Sequence, residues 1–325
     1  TVSTRPEDFI SVNFKETILW KLNELWPTSE NFTTESLYSK SQIDEKISKL
    51  PNRIFNDDPL ADTILISNDF LLTVDELSTL VFDDSVDIIS LFEPVTISKK
   101  LIINGDLHIT ASNDNPISIL DDVIVLGNLT LESFDAPISI KGTVIVNGDL
   151  IISGNEENTF DEDDTVKFDA TIYTVGSSII SNTNIVGITN NTQLVLLSNG
   201  DITITRINEF RQFTFPIEGD NVFSIGSEVV PLKAFFYTEG TAELYGVGSL
   251  FYIEGGLFAK EALTINAIRG NINKSTNLVI PPAGQQTDYK SRFHIVHDPT
   301  VLVSQVSRLP ITDRLRFIVE DINVE

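Results

Sequence analysis

From about residue 60 onward, apolar residues fall at every second position. Leu101, Ile103, Leu107 and Ile109, then Val123, Val125, Leu129 and Leu131, alternate with small or polar residues. That period belongs to strands, whose successive side chains point to opposite faces. Thr, Val, Ile, Asn, Asp and Gly dominate and helix formers are sparse, which predicts short strands joined by turns. The first 55 residues follow a different period. Phe9, Val12, Phe14, Ile18, Leu19, Leu22, Leu25 and Trp26 recur at steps of three and four. This predicts an amphipathic helix with Pro6 near its first turn and Pro27 at its end. Ser41-Gln42-Ile43-Asp44-Glu45 has the chemistry of another helix start, and Pro51 stops it. Residues 1–58 are therefore expected to form a helical cap or stalk, or a small separate domain, and residues 59–325 an all-β domain.

Within the β region one phrase returns. Asn104-Gly105-Asp106-Leu107-His108-Ile109 is echoed by Leu126-Gly127-Asn128-Leu129-Thr130-Leu131, by Asn147-Gly148-Asp149-Leu150-Ile151-Ile152 and by Asn199-Gly200-Asp201-Ile202-Thr203-Ile204. The first three glycines are 22 and 21 residues apart, and Gly200 follows Gly148 by 52, close to two more periods plus an insertion. Such a period equals one coil of a parallel β-helix, two or three short strands with their turns. Glycine would supply a positive φ at each corner, with Asn and Asp bonding their own backbone. Asn-Gly is also a hairpin turn, but the corners return at the coil period rather than at hairpin spacing. The expected fold is an all-β parallel β-helix (solenoid) with Gly105, Gly127 and Gly148 at equivalent corners.

Residues 155–169 interrupt the repeat with seven acids and one base, Lys167. That density of charge predicts a mobile surface loop. At the far end, Asp298 and Pro299 can start a helix that includes Val301, Leu302 and Val306 and stops at Pro310, and Leu315, Phe317 and Val319 suggest a final strand.

The charge narrows the function. With 47 acids against 22 Lys plus Arg, the net charge is −25. Phosphate contacts need clustered Lys and Arg, so nucleic acid and anionic lipid are disfavoured partners. Cysteine is absent, which excludes disulfides, a thiol nucleophile and thiolate-bound metals. Methionine is absent as well, which suggests a segment of a longer precursor. No apolar run is long enough to span a membrane, so no membrane insertion is expected within this chain.

Catalytic chemistry finds little support. His294 and His297 are three apart beside Asp298, but in a strand positions i and i+3 face opposite ways, which argues against a shared metal. His108 lies between two inward apolar residues and is expected at the surface. Asp161, Glu162, Asp163 and Asp164 offer oxygen ligands for calcium, but the loop lacks the glycine turn and closing Glu of a calcium-binding hand. A polysaccharide lyase or hydrolase would need a converging base or carboxylate set. Arg206, Arg211 and Arg269 are scattered, and no nucleophile elbow or phosphate loop occurs. The chain is read as a non-enzyme without cofactor or metal.

The aromatic-rich stretch from Leu232 to Gly270 is the better lead. Phe235-Phe236-Tyr237 and Leu250-Phe251-Tyr252-Ile253 place large apolar residues at consecutive positions. A strand cannot bury both sets against one core. Either Phe236 and Tyr252 point outward, or Tyr237 and Phe251 do. These four are the candidate ligand-binding residues, since exposed apolar patches mark contact sites. The competing expectation is that the N-terminal helix, with Trp20 and Trp26, covers the face.

The Gly-Asp-Leu-x-Ile corners resemble a known group. So do Ala234-Phe235-Phe236-Tyr237-Thr238-Glu239-Gly240 and Ile253-Glu254-Gly255-Gly256-Leu257-Phe258-Ala259-Lys260, and the tail Phe293-His294-Ile295-Val296-His297-Asp298-Pro299 with Leu309-Pro310. The group is the pilin-like surface proteins linked to type IV pilus loci in Gram-positive bacteria, and among them the tāpirins, cellulose-binding adhesins. The resemblance covers about residues 95–315. His297 stands where the group has Tyr, and the group's N-terminal pilin helix is not in this sequence. The resemblance implies an extracellular, cell-surface adhesin with a β-helical body, an insoluble polysaccharide such as cellulose as partner, and pilus components as further partners. It assigns no individual binding residue. The rivals are a structural minor pilus or surface-layer subunit without carbohydrate binding, and a trimeric phage fibre.

Overall fold

A computed structural model describes residues 14–29, 31–56, 63–154, 164–207, 232–247, 251–268, 271–273, 278–280, 293–298 and 308–309. The chain is mostly β, in two long parallel sheets compatible with a solenoid or β-helix. One sheet runs β1 (Arg53–Ile54), β3 (Thr79–Phe82), β6 (Lys100–Ile103), β9 (Val123–Val125), β11 (Ile138–Val146), β13 (Thr165–Thr174), β16 (Leu194–Ser198), β18 (Leu232–Thr238), β20 (Phe251–Ala259) and β24 (Phe293–His297). Three strands join it from the side: β5 (Val95–Ile97), β8 (Ile117–Ile119) and β15 (Asn184–Gly187). The other sheet runs β2 (Ile64–Ile66), β4 (Val86–Ser90), β7 (Leu107–Ala111), β10 (Leu129–Ser133), β12 (Leu150–Gly154), β14 (Ser178–Ser181), β17 (Ile202–Ile207), β19 (Thr241–Val247) and β21 (Ala262–Ile268). A short antiparallel pair, β22 (Asn271–Asn273) with β23 (Leu278–Ile280), stands apart. The chain visits the two sheets in turn, so each circuit adds a strand to both.

The corner glycines stack as expected. The Gly127 N–H donates to the Gly105 carbonyl at 3.0 Å, and the Gly148 N–H donates to the Gly127 carbonyl at 2.8 Å. The two periods between Gly148 and Gly200 are filled by Gly176, which bonds to both at 3.0 Å. Val175-Gly176-Ser177-Ser178 lacks the Asn and Asp of the other corners, which hides it in the sequence. The reason for glycine differs from the expected positive φ, which among the described glycines belongs to Gly142 and Gly255. At the corners the backbones approach too closely for a side chain. A Cβ on Gly148 would lie 2.7 Å from the Gly127 carbonyl oxygen.

The residues after Gly105, Gly127, Gly148 and Gly200 each tie one circuit to the next. Asp106 Oδ1 accepts the Asn128 N–H at 2.7 Å, and Asn128 Oδ1 accepts that of Asp149 at 2.9 Å. Asp149 Oδ1 accepts from Ser177 at 2.7 Å, and Asp201 Oδ1 from Thr241 at 2.8 Å. With Ser85, whose Oγ accepts the Asp106 N–H at 3.0 Å, the column alternates between neutral and acidic residues. Circuits are ~4.8 Å apart, and carboxylates on successive circuits would repel at that distance.

Inside, one apolar cluster runs from β2 to β19 of the smaller sheet and from β3 to β20 of the larger and includes Phe82, Phe168, Ile172 and Phe236. At the N-terminal end α4 (Asn68–Thr73; α1–α3 precede it in the chain) packs Phe70 and Leu71 against this core, with Phe70 6.0 Å from Phe82. The earlier helices α1 (Phe14–Leu25), α2 (Thr34–Leu37) and α3 (Lys40–Ser48) lie on the outer face of the larger sheet. Phe14, Ile18 and Leu22 form the apolar buried stripe of α1, and Trp26 just past its end continues the four-residue spacing of a helix face. They pack with Ile102, Ile124, Ile145 and Tyr173, which point out of that sheet. Phe14 stacks on Tyr237 of β18 at 5.8 Å, while the Leu25 carbonyl accepts from Lys100 Nζ on β6. Twelve residues span ~18 Å, so α1 crosses the strands along the stacking direction. Asn104 Nδ2 donates to Asp44 at 3.0 Å and Asn147 Nδ2 to the Leu37 carbonyl at 2.8 Å. The expected cap or stalk is thus a cover laid on a sheet face.

The expected acidic loop does not extend to Asp169. Residues 155–163, with Asp161, Glu162 and Asp163, lie outside the described residues, but Asp164 is buried and Thr165–Asp169 already form β13. Lys167 pairs with Ser139 across β11, since period-two apolar residues Val166 and Phe168 draw the segment into the core. The expected closing helix and final strand lie outside the described residues.

Candidate functional site

The four aromatic candidates all belong to the larger sheet. Phe236 is 0% exposed and sits in the interior between Leu196 and Leu257 of the neighbouring strands. Tyr237 takes the outward register but is only 8% exposed, because α1 covers it. Its ring lies between Phe14 and Phe258, 5.4 Å from the latter and parallel to it. Burial, and then the hydrogen bond its hydroxyl donates to Glu239 at 2.5 Å, push its phenol above the usual range. Phe251 and Tyr252 lie opposite Phe293 and His294 in the β20–β24 pairing, and their side chains lie outside the described residues. Neither Phe236 nor Tyr237 is available to a ligand. The covering helix predicted as the rival accounts for Tyr237, with Trp26 buried against Phe32 at 4.7 Å and Trp20 left exposed.

The smaller sheet keeps one face open: among the described residues its outward side chains are half-exposed or exposed. Two outward positions per strand form two rows across the sheet. In the first, Thr130, Ile151, Ile179 and Thr203 are successive register partners on β10, β12, β14 and β17. In the second, Glu132, Ser153, Ser181, Thr205 and Tyr245 follow one another from β10 to β19. Ile179 is 44% exposed and Tyr245 40%. Among the described side chains the centre of the face is therefore uncharged, a mixture of hydroxyls and methyl groups.

Among the described side chains of this face, charge is confined to its two ends. At one, His108 lies between two carboxylates, with Nε2 2.8 Å from Glu132 Oε2 and Nδ1 3.8 Å from Asp87 Oδ1. Thr110 Oγ1 donates to Glu132 at 3.3 Å and Thr63 Oγ1 to Asp87 at 2.7 Å. At the other end Glu243 accepts from Asn266 Nδ2 at 2.9 Å. His108 is at the surface as expected. Among the described residues no group of three His, Asp or Glu is placed to hold a metal ion, and no helix is long and apolar enough to cross a membrane. His294 and His297 both lie in β24, as the strand reading requires, with their side chains outside the described residues.

Tyr245 belongs to the aromatic-rich stretch but has no aromatic neighbour in the chain. The signal that marks it is alternation: Glu243 and Tyr245 flank Leu244, which is inward and fully buried. No protein-family model, curated protein or solved structure matches the chain.

Proposed function

We propose that this chain is the extracellular part of a cell-surface adhesin, that its two sheets are faces of a parallel β-helix, and that it holds a neutral, insoluble polysaccharide, cellulose first, on the open face of the smaller sheet. The observation that carries the reading is the uncharged centre of that face, with Thr130, Ile151, Ile179 and Thr203 in one row and Ser153, Ser181 and Thr205 in the next. Hydroxyl groups match sugar hydroxyls, Ile methyls and the Tyr245 ring match the C–H faces of sugars, and a rigid sheet meets a regular surface at many points. The net charge of −25 opposes anionic polymers. This places the contact on a different face from the Phe236, Tyr237, Phe251 and Tyr252 set. Secretion and association with pilus components rest on the resemblance of the corner and tail phrases.

Depletion by microcrystalline cellulose at low and high salt tests the reading. Retention insensitive to salt is expected, because no ion pairs carry the contact. Ile179→Glu with Thr203→Glu should release the protein. Wild-type protein that stays in the supernatant overturns the reading and favours a structural subunit role.

A further inference from the structure

The two rows of the open face differ in height. Ile151 and Ile179 stand side by side as a ridge, while Ser153, Ser181 and Thr205 are short. The short row is bounded by larger side chains, Glu132 before Ser153 and Tyr245 after Thr205. It is therefore a shallow trough, walled by the Ile ridge on one long side and by Glu132 and Tyr245 at its ends, that crosses the strands along the stacking direction. From β10 to β19 it spans four strand intervals, ~19 Å at ~4.8 Å each.

Its chemistry is graded along that length. The Glu132 carboxylate at one end is held in place by His108 and Thr110. Three hydroxyls follow at one per strand, with methyl groups along one side. The exposed Tyr245 ring closes the other end. Along a strand, by contrast, the character changes within two residues, from Ile179 to Ser181 or from Thr130 to Glu132. Thr203 and Thr205 of β17 repeat over two positions, whereas the hydroxyls of Ser153, Ser181 and Thr205 repeat over three strands, and a polymer with one repeated chemistry is matched by that longer direction.

We propose that this trough is the binding site for a single chain of a neutral glycan about three to four sugars long, lying across the strands. Ser153, Ser181 and Thr205 exchange hydrogen bonds with its hydroxyls, the Ile ridge covers one C–H edge, Tyr245 stacks on a ring at one end, and Glu132 accepts from hydroxyls at the other. The inference rests on the adhesin reading and narrows it to one row. The carboxylate bars acidic sugars from that end.

Soluble cello-oligosaccharides of two to six sugars, titrated into the full chain by calorimetry, test it. Affinity should rise with length to about four sugars and then level off. Ser181→Val fills the trough with a residue favoured in strands, and Tyr245→Ala removes its end. Each should weaken tetrasaccharide binding at least tenfold, while Ser118→Val, on a separate strand run, changes nothing. Unchanged circular dichroism and thermal midpoints establish that the variants fold. If wild-type protein is retained on cellulose but both variants bind oligosaccharide as tightly as wild type, the trough is overturned and the adhesin reading stands. If affinity keeps rising to six sugars, the trough length is wrong and the inference falls. If wild-type protein binds neither solid nor soluble glycan, both fall.

Discussion

Replacing Asn128 by aspartate tests the logic of the corner column. Asn128 lies between Asp106 and Asp149, bonded to each through one backbone N–H and one side-chain oxygen. The substitution keeps shape and keeps an acceptor for the Asp149 N–H, so no hydrogen bond is lost. It creates two carboxylate–carboxylate contacts on successive circuits, ~4.8 Å apart. At that separation each repulsion is ~0.9 kcal/mol in a water-like dielectric, and the corner is exposed, so the total is about 1–2 kcal/mol. A carboxylate accepts a backbone N–H more strongly than an amide does, which offsets part of this. Urea unfolding at low ionic strength should report a net loss of about 1 kcal/mol, with an unchanged m-value. In ~1 M salt, where the screening length is ~3 Å, most of the loss should vanish. Asn128→Ala provides the contrast: it loses an acceptor, costs about 1 kcal/mol, and the cost should persist in salt. If the aspartate variant is as stable as wild type at low salt, or if salt rescues both variants equally, charge alternation does not govern the column.

The helical cover gives two further expectations. Phe14→Ala removes a buried ring stacked on Tyr237 and should destabilise the cover by about 3 kcal/mol; hydrogen exchange should quicken in α1 and leave β7, β10 and β12 protected, and uniform quickening would contradict a separable cover. The Asp44 carboxyl is held below its ordinary range, first by the Asn104 hydrogen bond and further by Lys40. A folded value below the unfolded one means that this contact stabilises the protein above the ordinary carboxylate range and is lost as pH falls through the lowered value. Unfolding midpoints at pH 6 and pH 2.5 should therefore differ less in Asn104→Ala than in wild type, and an equal difference would refute the link.

The sequence by itself determined the strand period, the circuit length and the corners at Gly105, Gly127, Gly148 and Gly200, though not the one at Gly176. Those features are local: alternation follows from the geometry of a single strand, and the glycines answer to backbones stacked one period apart. It also held the clue to the open face. Leu107-His108-Ile109-Thr110, Leu129-Thr130-Leu131-Glu132 and Ile202-Thr203-Ile204-Thr205 alternate cleanly, as strands with one side in water do. Val123-Ile124-Val125 and Leu194-Val195-Leu196-Leu197 are apolar throughout, as strands covered on both sides are. The Phe235-Phe236-Tyr237 run belongs to this second kind, so its consecutive aromatics record burial on two sides. What only the tertiary structure decided is which element supplies the second cover. Phe14 and Tyr237 are more than two hundred residues apart, and nothing in either local pattern specifies that α1 lies across the strands of the larger sheet rather than the smaller. That choice depends on Ile102, Ile124, Ile145 and Tyr173 aligning in register, strand upon strand, into an apolar surface that no single strand possesses.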